Sequence, residues 1–221
     1  MKKLLAFLLC ICLSSIVYSQ KAQIQLGTQV PLNYAAGLEF FANKNLSLNM
    51  QVGYLTKPYD EVILEILKKL GTEEAIVYTI GNSNPHGIIL QPTLKFHLGT
   101  IYAGLTYSYY NLKANDVPSD AIEYYYDVNI PNRYDRILNL ESNLHNAGLL
   151  IGKEITFGQN DKSGLKFELS VQKTFASSSN LYANESIDLS RLNTLVTEEL
   201  NHYYVDYGYL PSFNIFYFYN F

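Results

Sequence analysis

Three groups of side chains in this 221-residue chain are of types that do chemistry. Glu39, Lys95, His97, Lys166 and Glu168 each sit in a stretch where polar and apolar residues alternate. Carboxylates and amines that share a dry interior must pair, so Glu39 and Glu168 are expected to face Lys95 or Lys166. Such pairs can brace a closed polar core or gate a solute path. His86, His145 and His202 are a second group, since neutral imidazole is a common metal ligand. No two of them have ligand spacing, and the strands they begin are not neighbours, so satisfied or exposed histidines are expected. His145 with Ser142 and Glu141, or His202 with Glu198 or Glu199, supplies the residue types of a Ser/His/acid hydrolase. In a chain with many Ser and Glu such proximity carries little weight, and no His-x-Ser spacing accompanies it. No catalytic, metal or cofactor site is therefore expected.

The third group is aromatic. Tyr124, Tyr125, Tyr126, Tyr134 and Tyr182 fall in segments richer in acids than in bases. Tyrosine presents a flat apolar face and a hydroxyl, which suits binding to protein or sugar. The same rings can simply pack loop helices onto the body of the fold. No loop of EF-hand type accompanies the acids, so calcium is not expected.

The elements that position these residues follow from a period of two. In Leu165-Lys166-Phe167-Glu168-Leu169-Ser170-Val171-Gln172 every odd residue is apolar and every even one polar. Leu46-Ser47-Leu48-Asn49-Met50-Gln51-Val52-Gly53 and Leu90-Gln91-Pro92-Thr93-Leu94-Lys95-Phe96-His97 show the same alternation in the opposite parity. One face of each strand meets an apolar medium and the other a polar one. Eight strands are expected, at 22–29, 34–43, 45–56, 87–98, 101–112, 143–157, 164–175 and 204–221; Pro211 interrupts the last, whose first half stays open between strand, loop and separate strand. Most approach the 9–11 residues with which a tilted strand crosses a bilayer.

Apart from a short first loop at Val30-Pro31-Leu32-Asn33, the connections alternate between short turns at 43–45, 98–100 and 158–163 and long segments at 57–86, 113–142 and 176–203. In an up-and-down barrel this places the short turns and both termini at one end and the long loops at the other. Aromatic residues of the apolar face gather near both ends. Tyr34, Tyr54, Tyr109 and Phe175 lie toward the loops, and Phe40, Phe96, Phe157, Tyr217, Tyr219 and Phe221 toward the turns, as two bilayer interfaces would require. The long segments contain helical spacing at 60–71, a capped start at Ser119-Asp120-Ala121-Ile122-Glu123, and a third helix over 184–202. Two residues fit poorly. Lys153 falls on the apolar parity, which a bulge at Gly152 or snorkelling would reconcile. Pro92 lacks a ladder donor inside a strand.

Composition narrows the class. The chain is 48% hydrophobic and only 16% charged, with 20 Tyr, 11 Phe and no Trp, so it is not disordered. A net charge of -4 without a basic tract argues against nucleic acid as a partner. Residues 1–19 read as a cleaved secretory signal: Lys2 and Lys3, a short apolar core, and small residues before Gln20. Both cysteines, Cys10 and Cys12, lie inside it, so no disulfide is expected in residues 20–221, read as one domain. No later stretch is apolar for long enough to form a spanning helix. A soluble lipocalin-like carrier shares the alternation but buries the opposite face.

Gly37-Leu38-Glu39-Phe40, Asn43-Lys44-Asn45-Leu46-Ser47-Leu48 and the closing Phe213-Asn214-Ile215-Phe216-Tyr217-Phe218-Tyr219-Asn220-Phe221 resemble small eight-stranded outer-membrane barrels. The group is that of OmpA, OmpX and OmpW, in the style found among Bacteroidota. The resemblance implies an all-β, antiparallel, up-and-down transmembrane barrel with short helices in its long extracellular loops. It implies residence in a Gram-negative outer membrane, outer-membrane lipid as the surrounding medium, and a monomer. It also implies recognition by the barrel-assembly machinery through the strand ending in Phe221. It brings no catalytic motif and no cofactor, so a structural or surface-recognition role through the loops is expected. A lipid-modifying enzyme and a narrow solute channel are the alternatives.

Overall fold

The computed structural model describes residues 21–69, 84–117, 138–158, 162–183 and 190–221. The signal reading over 1–19, the whole of 118–137 with the expected helix start at Ser119, and residues 70–71 and 184–189 of the other two expected helices lie outside these residues. The elements are β1 (Lys21–Val30), β2 (Asn33–Asn43), β3 (Leu46–Leu55), α1 (Tyr59–Lys69), β4 (Asn84–Leu98), β5 (Ile101–Val117), β6 (Leu138–Phe157), β7 (Ser163–Ala183), α2 (Ser190–Tyr207) and β8 (Tyr209–Asn220). The eight strands pair in chain order, each antiparallel to the next, and β1 closes on β8. No described helix is long and apolar enough to cross a membrane.

The alternation resolves into an outside and an inside. Leu169 is 59% and Val171 49% exposed, while Lys166 and Glu168 on the same strand are 0% and 1% exposed. Leu26, Leu38, Val52, Leu90, Leu105, Leu149 and Ile151 also lie bare on the outer surface. A soluble barrel would reverse this arrangement, because apolar area left in water forgoes about 25 cal/mol per Å². Tyr34, Tyr54, Tyr107, Phe175 and Tyr209 edge the apolar belt at the loop end. Phe96, Phe157, Tyr217, Tyr219 and Phe221 edge it at the turn end.

The turn end is tight. Gly99 and Gly158 take the left-handed conformation, with φ of 70° and 77°, which glycine adopts without steric cost. Lys153 does point outward, between Ile101 and Phe167, and the register runs unbroken through Gly152. The irregularity between β6 and β7 lies higher, between His145 and Asn146. Pro92 keeps the β4–β5 register, but its missing N–H leaves a gap in the ladder between Leu90–Tyr109 and Thr93–Thr106.

The strands reach further into the expected loops than their apolar faces suggest. β5 runs to Val117, β6 begins at Leu138 and β7 ends at Ala183, so much of 113–142 and 176–203 is wall rather than loop. The physical reason is an exchange of faces. Above the belt the inward residues become apolar (Ala114, Leu138, Leu144, Leu181), while Asn111, Lys113, Glu141 and Asn143 line the outside. Beyond the exposed apolar belt the same period carries the opposite assignment.

The final strand starts at Tyr209, not at 204, because residues 190–207 form a continuous helix. That helix has a structural duty. β8 stops pairing with β7 at Lys173, which leaves the edge of β7 above that point without a strand neighbour. Asn193, Thr197 and Asn201 of α2 supply the missing partners. The Leu181 N–H donates to Asn193 Oδ1 (2.7 Å), Thr197 Oγ1 donates to the Ser179 carbonyl (2.9 Å), and Ser177 Oγ donates to Asn201 Oδ1 (3.1 Å). Four helical residues advance about 6 Å and two strand residues about 6.7 Å, so the two rows stay nearly in step. Beside that polar row Val196, Leu200 and Tyr204 face the apolar interior. Asn193→Ala would leave the Leu181 N–H without its acceptor. We expect it to cost about 1 kcal/mol locally, read as roughly fivefold faster amide exchange at Leu181.

Candidate functional site

Inside the turn-end half of the barrel, Glu39 comes from β2, Lys95 and His97 from β4, and Lys166 and Glu168 from β7. Each stands on the inward parity of its strand, and all five are buried. Glu39 is the hub. Its Oε2 receives Lys95 Nζ at 3.2 Å and Lys166 Nζ at 2.5 Å. Its Oε1 accepts from Ser47 Oγ at 2.5 Å and lies 3.3 Å from His97 Nε2. Glu168 forms the second anionic centre: Oε1 takes Lys95 Nζ and the Tyr102 hydroxyl, both at 2.8 Å, and Oε2 accepts from Asn214 Nδ2 at 3.1 Å. Lys95 thus bridges the two carboxylates. The Tyr102 ring lies under its ammonium, 4.7 Å from Nζ to the centroid.

Glu154 is a member that the sequence reading passed over. It lies on the inward parity of β6, 2.8 Å from Lys166 Nζ, and is partly exposed at the turn end. Its signal was present, because it shares parity with Gly148, Leu150 and Gly152. The set therefore holds three carboxylates against two ammoniums, with His97 against Glu39. Glu39, His97 and Glu154 bring ligand atoms within 4.8 Å of one another, a spacing that suits a metal ion. The Lys166 ammonium contacts both carboxylates, so the protein's own cation fills the place between them.

Gly152 exists for the Tyr102 ring. A Cβ there would fall 2.5 Å from Tyr102 Cζ. Gly152→Ala must displace the ring from Glu168 and is expected to cost about 1–3 kcal/mol of barrel stability, measured by urea unfolding in vesicles. Above the ions the lumen is filled by neutral polar side chains. Gln25 donates to Asn49 (2.7 Å), Gln29 to Gln51 (2.9 Å), Ser108 to Gln172 (2.5 Å) and Thr174 to Asn146 (2.7 Å). Ile89, Tyr110 and Leu144 close over them. An eight-stranded barrel leaves an interior about wide enough for side chains to fill, and these side chains are buried in it.

This is the build of a small outer-membrane barrel. No family model and no curated protein matches the sequence. Among solved structures, the chain is similar in fold to a major outer membrane protein from Thermus thermophilus. The TM-score is 0.52 at 13% identity, over 91% of this chain and 98% of that one. CarO2 of Acinetobacter baumannii aligns with a TM-score of 0.43 and 11% identity over 90% of this chain and 97% of its own. CarO of the same organism gives 0.40 and 11% over 93% and 99%.

Ser142 and His145 are not brought together. Ser142 faces inward, bonded to Ser179 (2.9 Å), whereas His145 faces outward, with its Nδ1 2.6 Å from the Tyr107 hydroxyl. His202 pairs with Asp206 at 2.7 Å on the surface of α2. His86 stands opposite Lys113 on the outer face of β4. Of the loop aromatics, Tyr182 is partly buried near the top of β7, opposite Asn139. Tyr124, Tyr125, Tyr126 and Tyr134 lie outside the described residues.

Proposed function

We propose that this protein resides in a Gram-negative outer membrane as a monomeric barrel. Its closed trunk carries a water-facing crown that does structural or recognition work at the cell surface. The filled lumen carries this reading. Paired charges below, buried amides in the middle and apolar side chains above, all among the described residues, support a trunk that does not conduct. The elaborated surface is therefore the crown of β4–β7 and α2. The exposed apolar belt supports lipid as its medium, and the aromatic strand ending at Phe221 supports assembly by the barrel machinery.

Two measurements test it. In planar bilayers the purified protein is expected to give no single-channel steps above leak, and regular steps would make it a pore. Protease added to intact cells is expected to cut within the crown and leave the trunk. A crown untouched until the cells are lysed would place it on the wrong side of the membrane.

A further inference from the structure

The outer surface carries a cation that the fold does not neutralise. Lys173 of β7 points outward at the loop-end edge of the apolar belt, one outward position below Phe175. No carboxylate pairs with it among the described residues. Its ammonium lies 5.0 Å from the centroid of the Tyr209 ring. A lysine on a bilayer-facing surface is costly at mid-depth and is tolerated at the headgroups, where anions are found.

Its surroundings form a recess. Tyr107, Ala147, Lys173 and Tyr209 stand side by side across β5, β6, β7 and β8. Ala147 is the low point of that row, so its methyl forms a floor about 10 Å wide between Tyr107 and Lys173, two strand spacings apart. His145 and Phe175 stand above it, their rings 6.3 Å apart. The Tyr107 hydroxyl and His145 Nδ1 share one hydrogen bond at 2.6 Å. If the hydroxyl donates, His145 Nε2 carries the remaining proton. If Nδ1 donates, the hydroxyl does. In both cases one donor is left over. Two acids flank this side: Glu141 on the outer face of β6 is engaged by Asn111 Nδ2 (2.5 Å) and Lys113 (3.8 Å), and Asp206 at the end of α2 by His202 Nδ1 (2.7 Å). A cation, a hydroxyl and a spare donor around an apolar floor at the edge of the belt, with no unpaired acid beside them among the described residues, complement a phosphate whose attached chains continue along the belt.

We propose that this recess binds the phosphate of a lipid in the loop-side leaflet, with Lys173 as the charged contact. The proposal rests on the membrane reading above. It is tested with nanodiscs of phosphatidylcholine containing a minority of phosphatidylglycerol, counting by native mass spectrometry the lipids kept after transfer to neutral detergent. The wild type is expected to retain phosphatidylglycerol preferentially. Lys173→Gln should lower that preference about tenfold, Lys173→Arg should keep it, and Lys113→Gln, already paired with Glu141, should leave it unchanged. Inorganic phosphate should not displace the lipid. Undiminished preference in Lys173→Gln, an equal loss in Lys113→Gln, or displacement by inorganic phosphate would overturn the site. Failure of the wild type to enter the discs would instead strike the membrane reading itself, and the site with it.

Discussion

Replacing Glu39 by Ala is expected to lower the unfolding free energy of the barrel by about 3–5 kcal/mol, the range for removing one partner from a buried ion pair. The size follows from position. Glu39 holds both lysines of the lumen, and each of those ammoniums is fully buried. Without it, Lys95 retains Glu168, but Lys166 retains only Glu154 at the edge of the network. Urea titration in lipid vesicles, followed by the mobility difference between folded and unfolded barrel, measures the loss. The companion experiment is the double variant Glu39→Gln with Lys166→Gln. It removes one charge of each sign and leaves the Lys95–Glu168 pair intact. It should cost less than the sum of the two single variants, because the desolvation of both charges disappears with them. A loss below about 1 kcal/mol for Glu39→Ala would mean that water reaches the cluster and that the lumen is open.

The second large effect is on the opposite surface. Ile151 is 56% exposed, midway along the outer face of β6 and flanked by Ala103 and Leu169. Ile151→Arg is expected to cost about 2–4 kcal/mol in a bilayer, the figure for arginine near mid-depth on a barrel wall. On a water-facing surface the same change would be close to neutral. The urea titration in vesicles reads this directly, with Ala147→Arg as the comparison near the loop-end interface. That variant should cost about 0–1 kcal/mol. Equal and negligible costs at both sites would show that neither side chain meets hydrocarbon.

Much of the trunk was legible in the sequence because a bilayer imposes one rule on every strand. Leu165 to Gln172 show it cleanly, and the inward set of Glu39, Lys95, His97, Lys166 and Glu168 follows from parity alone. Which lysine meets which carboxylate does not follow, since that depends on the stagger of β2, β4 and β7 around the barrel. The crown was harder to read. Leu138-Asn139-Leu140-Glu141-Ser142-Asn143-Leu144 alternates too, with Leu138, Leu140 and Leu144 inward beside Ser142, so the apolar outer face ends well before the strand does. That β8 starts at Tyr209, and that 204–207 belong to a helix, has a related reason. Tyr203, Tyr204 and Val205 have strand-forming side chains, yet α2 holds them in helix by docking Val196, Leu200 and Tyr204 into the crown and lending Asn193, Thr197 and Asn201 to the edge of β7. Propensity gives way there to tertiary contact.

Beyond residue 20 the chain has no cysteine, so single cysteines can be placed along β7 at 165–172 and spin-labelled in vesicles. Oxygen, which concentrates among lipid chains, should reach labels at the odd positions strongly and those at the even positions weakly, with a period of two. A reversed pattern, or odd-position labels that respond to a water-soluble relaxant rather than to oxygen, would contradict a barrel whose apolar face meets lipid.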